Sequence, residues 1–147
     1  MEVINKNRKA YFEYEILEKL TAGIQLVGSE VKSIRNGDVS INEAFCLIIN
    51  GEAFIRNMHV AEFKQSGTHQ NHEPRRQRKL LLKRKEIDKL LGQVAQKGLA
   101  IKPLAVMLDE RGMIKLEIGL GKGKKLRDKR QSIKEKDLKR EQERNID

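Results

Sequence analysis

Residues 41–60, INEAFCLIINGEAFIRNMHV, constrain the fold more than any other stretch of the chain. Two runs rich in Ile, Phe and Leu flank Asn50-Gly51, a pair that tolerates the positive φ angles of a type I′ turn. That turn matches the twist of antiparallel strands, so the segment predicts a β-hairpin. An isolated hairpin is marginal in water, and this one requires further strands to pack with. LAIKPLAVML and MIKLEIGL supply them as a second hairpin, turning at Asp109-Glu110-Arg111-Gly112. In its later run Ile114, Leu116 and Ile118 alternate with Lys115 and Glu117, which leaves one face to water.

Two helices are predicted beside these strands. In SEVKSIRNG, Ser29 can cap, Val31 and Ile34 share a side, and Asn36-Gly37 stops the turn. In KLLLKRKEIDKLLGQVAQKG, Ile87, Leu90, Leu91 and Val94 repeat at helical spacing before a Lys97-Gly98 stop. Leu80-Leu81-Leu82 reads either as the first turn of that helix or as a separate buried strand. YFEYEILEKLTAGIQLVG reads as two strands meeting at Ala22-Gly23, with a short helix as the alternative for its first half. Residues 1–10 read as a loose basic arm, and residues 62–79 as a long exposed loop. Short antiparallel strands with one or two helices between them suggest a mainly β fold with α: a small antiparallel barrel of the oligonucleotide-binding (OB) type. From residue 122 the core pattern ends, and only Leu126, Ile133, Leu138 and Ile146 are large and apolar. The expected organisation is a barrel over residues 1–121 and a basic C-terminal tail over 122–147, disordered until bound.

Charge narrows the partner. The 147 residues hold 31 Lys and Arg against 21 Asp and Glu, a formal net charge of +10, which attracts nucleic acid or an anionic membrane. No apolar run approaches the roughly 20 residues that span a bilayer, which argues against membrane. The start, MEVINKNRKA, holds no apolar stretch of signal-peptide length, so a cytoplasmic location is expected. The single cysteine, Cys46, precludes an internal disulfide and fits a reducing compartment. With no Trp, four Phe and two Tyr, the chain lacks the rings for a broad base-stacking platform.

Cations gather in five places: Lys6-Asn7-Arg8-Lys9, Lys32 with Arg35, Arg75-Arg76-Gln77-Arg78-Lys79, Lys83-Arg84-Lys85, and the tail. One such run is often a solvated face. Five, with few acids among residues 75–85, point to an RNA surface. Arg grips phosphate oxygens with a planar fork, whereas Lys acts as a point charge. Glu30 differs in kind: it would repel phosphate, yet a carboxylate can accept hydrogen bonds from base amino groups, besides favouring a helix N-terminus.

Catalytic patterns fare poorly. GLGKGKK encloses three residues between Gly119 and Gly123 and puts Lys125 where a P-loop carries Ser or Thr. His69 and His72 with Glu73 could hold a metal, but zinc takes at least three protein ligands, and two solvated loop histidines are the plainer reading. His59 closes a hairpin strand. No enzyme, metal or cofactor is expected. A nuclease using His69 and His72, or a general ribosome-associated RNA-binding module, are the competing readings.

NRKA, AGIQLVGSEVKSIRNG, GEAFI, NHEPRRQRKLLLKRKEI, a KG before the penultimate strand, and EIGLGKGKKLRDKRQSIKEKD stand in the order found in the SmpB family. The chain resembles these SsrA-binding proteins of bacterial trans-translation over nearly its whole length. The resemblance implies an OB-type barrel that binds the tRNA-like domain of tmRNA and stands in for the missing anticodon arm. It implies support of alanylation, which brings in alanyl-tRNA synthetase through tmRNA, and delivery with elongation factor Tu to stalled ribosomes. The tail is then expected to read the empty decoding site and messenger channel of the small subunit, becoming helical there. Carried over position by position, the RNA-contacting glutamate falls on Glu30, and the leucine and polar residue of the LLL segment fall on Leu81 and Lys83. The tail signature, beginning with Lys122, Lys124 and Lys125, falls on Asp128, Lys129, Arg130, Ile133 and Lys134. Lys83 stands where Asn or His is common, Phe12 where His is usual, Asp38 for a lysine and Arg127 for a tyrosine. As a helix the tail would align Lys136, Arg140 and Arg144, while its Glu135–Lys139 pair contributes only a few tenths of a kcal/mol. Contact with RNA would have to add the rest.

Overall fold

The N-terminal residues expected as a loose arm begin the sheet instead. In the structure, a computed structural model describing residues 1–63 and 71–124, β1 (Glu2–Lys6) pairs antiparallel with the strand over residues 100–108. Its sequence gives little strand signal because only Ile4 packs against the core, and the backbone ladder to a distant partner does most of the holding. Asn7 then caps α1 (Arg8–Glu13): its side chain accepts from Ala10 N–H at 3.1 Å. β2 (Tyr14–Ile24) runs unbroken for 11 residues, so Ala22-Gly23 is strand and not a turn between two shorter ones. α2 (Gly28–Arg35) forms over SEVKSIRNG and ends before Gly37 at φ 82°, but Val27 stands at the cap position and Ser29, expected to cap, lies inside the helix.

β3 (Val39–Ser40) leads to the hairpin of β4 (Phe45–Ile49) and β5 (Glu52–Arg56). Asn50 and Gly51 sit at φ 51° and 77°, and Ile49 faces Glu52, the two-residue loop that the pair specifies. β6 (His59–Val60) pairs with β3. β7 (Arg78–Leu81) settles the leucine run as mostly strand, and α3 (Arg84–Lys97) starts only after Lys83, closing on Gly98 at φ 62°. The last hairpin is β8 (Ala100–Leu108) and β9 (Ile114–Gly123), so the glycine-rich GLGKG is strand, running two residues past the expected domain boundary.

The main sheet has the order β1-β8-β9-β2-β7-β5-β4, all antiparallel. Its β4 end comes alongside β8 without a ladder between them, so the sheet curls toward a barrel. Ile34 of α2, Ile41, Ile55 of β5, Met58, Leu80 of β7, Leu90 of α3 and Leu116 and Ile118 of β9 fill the interior. Each such side chain contributes about 1.5–3 kcal/mol by leaving water. This core holds α2 beside the sheet, and the candidate site lies between α2 and the start of β7.

Candidate nucleic-acid interface

Glu30 is the third residue of α2, and its Oε1 accepts from Val27 N–H at 2.9 Å, the anchorage that a glutamate gives at that helical position. The carboxylate then turns inward. Oε1 accepts from Arg76 Nη2 at 2.5 Å, while Oε2 accepts from Arg76 Nε at 3.2 Å and from Arg78 Nε. Arg78 completes its fork on backbone oxygens: Met58 O at 2.7 Å, Arg76 O at 3.1 Å and Pro74 O at 3.1 Å. Neither Glu30 nor Arg78 shows exposed side-chain surface, whereas Arg76 keeps 33% of its own. A buried ion pair stands only when hydrogen bonds satisfy its remaining groups, and here they do.

Burial alone would push the Glu30 carboxyl up. The bonds from Arg76, Val27 N–H and Arg78, with the Arg78 charge, outweigh it and hold the carboxyl below its ordinary value. Burial lowers Arg78, opposed by the bond and charge of Glu30. His72 secures the same corner. Val60 O can only accept, so Nε2 donates to it at 2.8 Å, and Nδ1 meets Ser29 Oγ at 2.8 Å. His72 is therefore a buried tie between α2 and β6, which corrects the reading of a solvated loop histidine. His69 lies outside the described residues.

Around this buried knot the surface is basic. Arg76 Nη2 also donates to Gln25 O at 3.3 Å. Arg75 donates to Asn57 Oδ1 at 2.7 Å, and Lys79 lies 3.4 Å from Glu52. Lys32 on α2 sits 5.4 Å over the Phe63 ring, and Arg35 donates to Gly112 O at 2.8 Å. Leu81 is 50% exposed beside Gly23, and Lys83 is exposed just before α3. Thus Glu30 and Lys32 lie on α2, Lys79 and Leu81 on β7, Arg75 and Arg76 just before β7, and Lys83 between β7 and α3.

Other expected contacts are placed elsewhere. Asn7 is buried, donating from Nδ2 to Pro103 O at 2.9 Å, so its side chain serves the fold. Arg78, expected among the phosphate-gripping residues, is corrected to an internal partner because no part of it reaches solvent. Glu30, expected to face a base directly, has both oxygens engaged by protein. Lys6, 4.9 Å over the Tyr11 ring, Arg8 and Lys9, 3.9 Å from Glu43, belong to β1 and α1, four places along the sheet from β7. Lys122 is exposed on β9, and Lys124 N–H donates to Glu13 O at 2.9 Å. Lys125, Asp128, Lys129, Arg130, Ile133 and Lys134 lie outside the described residues. The Glu30–Arg78 and Ser29–His72 links were missed by sequence reasoning. A signal for the first existed: Arg78 and Leu80 share a strand face at period two, so an inward Leu80 implies an inward Arg78.

Residues 4–147 match the family model described as SmpB protein. An SsrA-binding protein of Acholeplasma laidlawii (strain PG-8A) is 57% identical over 146 residues, 99% of this chain and 97% of that one. An SsrA-binding protein of Christiangramia forsetii is 54% identical over 135 residues, 92% of this chain and 85% of its own. Among solved structures, a chain from one described as "tmRNA-SmpB: a journey to the center of the bacterial ribosome" superposes with a TM-score of 0.67 at 45% identity, covering 82% of this chain and 84% of that one. No helix among the described residues is long and apolar enough to cross a membrane.

Proposed function

The chain belongs to the SmpB family, and from that premise we propose that it binds the tRNA-like domain of tmRNA and delivers it to stalled ribosomes for trans-translation. The observation that carries this reading is Arg76, held at the surface by the buried Glu30–Arg78 pair with half-exposed Leu81 nearby on β7. With Nε and Nη2 bound by Glu30 and Gln25 O, and one Nη1 N–H by Gln77 O at 3.3 Å, the fixed guanidinium offers its remaining Nη1 N–H and its charge to an RNA at little further entropic cost. Glu30 therefore acts on the RNA through Arg76, as a positioning residue. Lys32, Arg35, Arg75, Lys79 and Lys83 supply the surrounding attraction for phosphates.

The protein performs no bond chemistry. It works in the cytoplasm, supports charging of tmRNA by alanyl-tRNA synthetase, and travels with elongation factor Tu through the RNA that both hold. Lys6, Arg8 and Lys9 form a second basic patch on β1 and α1. Lys125, Asp128, Lys129, Arg130, Ile133 and Lys134 engage the decoding site and messenger channel of the small subunit, while Lys122 and Lys124 stand at the end of the body from which they extend. The test is a comparison of affinity for the tRNA-like domain of tmRNA and for ordinary tRNA at moderate salt. The tRNA-like domain should bind more tightly, and equal affinity would remove the specific reading.

A further inference from the structure

Pairing register carries the docking face from β7 across four more strands. Leu81 stands opposite Gly23, Gly23 opposite Lys115, Lys115 opposite Met107, and Met107 opposite Val3. Residues directly opposite in an antiparallel ladder share a face, so these five positions form one row, about 19 Å long at about 4.8 Å per strand. The row is continuous with the site around Glu30. Gln25, whose carbonyl receives Arg76, lies two residues past Gly23, and its N–H donates to Lys79 O, two residues before Leu81.

Gly23 leaves its place in the row bare. A Cβ there would lie 3.1 Å from Leu81 Cβ and 3.4 Å from Leu81 Cδ1, so the leucine leans over the glycine backbone. Across the glycine stands Lys115, which is half-buried and has no acid partner among the described residues. The acid of the adjoining row, Glu117, is already 3.8 Å from Lys19. An apolar wall, a bare backbone floor and an uncompensated ammonium fit one nucleotide of an RNA: base or ribose rests on the glycine against the leucine, and the neighbouring phosphate meets the lysine.

We propose that Gly23 and Lys115 form, with Leu81, a nucleotide subsite that extends the RNA-docking face onto β2 and β9. This inference rests on the tmRNA-binding reading given above. Gly23 acts as a positioning residue that lets Leu81 lean, and Lys115 as the phosphate contact.

The test measures affinity of the full chain and its variants for the tRNA-like domain across a salt series, with ordinary tRNA as control. Lys115→Gln should weaken binding about five-fold or more and lower the slope of log affinity against log salt by about 1, the loss of one phosphate contact. Gly23→Ala should weaken binding as Leu81→Ala does, and the two together should cost less than their sum, because both disturb one contact. If Gly23→Ala fails to fold, Lys115→Gln decides alone. Wild-type preference for the tRNA-like domain with an unchanged Lys115→Gln affinity and slope would overturn the subsite while leaving the functional reading intact. Absence of that preference in the wild type would overturn the functional reading instead. Unchanged RNA binding with loss of peptide tagging would assign the row to a protein partner and also overturn the proposal.

Discussion

Glu30 concentrates the physics of the site in one carboxylate. It holds α2's first turn through Val27 N–H, neutralises a guanidinium that has no route to water, and aims a second guanidinium outward. Glu30→Ala would strand Arg78 as an unpaired buried charge, a change that typically costs about 3–5 kcal/mol, so a clear fall in Tm is expected. The same variant should lose more affinity for the tRNA-like domain than for bulk RNA, because Arg76 would keep its charge but not its direction. Equal losses would confine Glu30 to the fold. The pH dependence has a definite sign. The Glu30 carboxyl is held low in the folded state, so its stabilisation is present above its ordinary value and fades as pH falls through the lowered one. In urea titrations from pH 7 downward, wild type and Glu30→Gln should converge in the acid range, below about pH 4. A constant gap would mean that the ion pair contributes no pH-dependent stability.

Elements divide by how their signals arise. The hairpin at Asn50-Gly51, the hairpin of β8 and β9, and helices α2 and α3 were legible because turn chemistry, alternation and helical spacing act within a few residues. β1 was not legible, since Glu2 and Lys6 at its ends are exposed and its stability comes from a partner about a hundred residues away. Ala22-Gly23 reads as a turn in sequence, yet β2 continues through it, and the missing side chain at Gly23 makes room for Leu81. The GLGKG run teaches the same lesson. A Cβ on Gly119 would meet Leu104 Cδ1 at 2.6 Å, Ile16 Cγ2 at 3.1 Å and Glu18 O at 3.2 Å, and one on Gly121 would meet Tyr14 Cβ at 2.9 Å. These glycines let side chains lie flat on β9. Gly119→Ala should therefore destabilise by about 1–3 kcal/mol, the usual result of overpacking, measured as a drop in the urea midpoint. An unchanged midpoint would show that the close approach at this strand is readily relieved.

At the scale of the molecule, net charge gave the class of partner and patterning gave the core, but the division of the site between buried and exposed cations required the fold. Arg75, Arg76, Arg78 and Lys79 look alike in sequence, yet one of them is wholly internal and another is its aimed neighbour. The basic residues also fall into separate groups, with the α2 and β7 set apart along the sheet from that of β1 and α1. On the proposed function, the body recognises tmRNA and the residues beyond Lys124 engage the ribosome. The most direct measurement takes a chain ending at Lys124, where the described body ends just past β9, and follows two quantities together: affinity for the tRNA-like domain of tmRNA and peptide tagging on stalled ribosomes. Affinity should be largely retained while tagging is lost, and a shortened chain that still tags at the full rate would contradict the account.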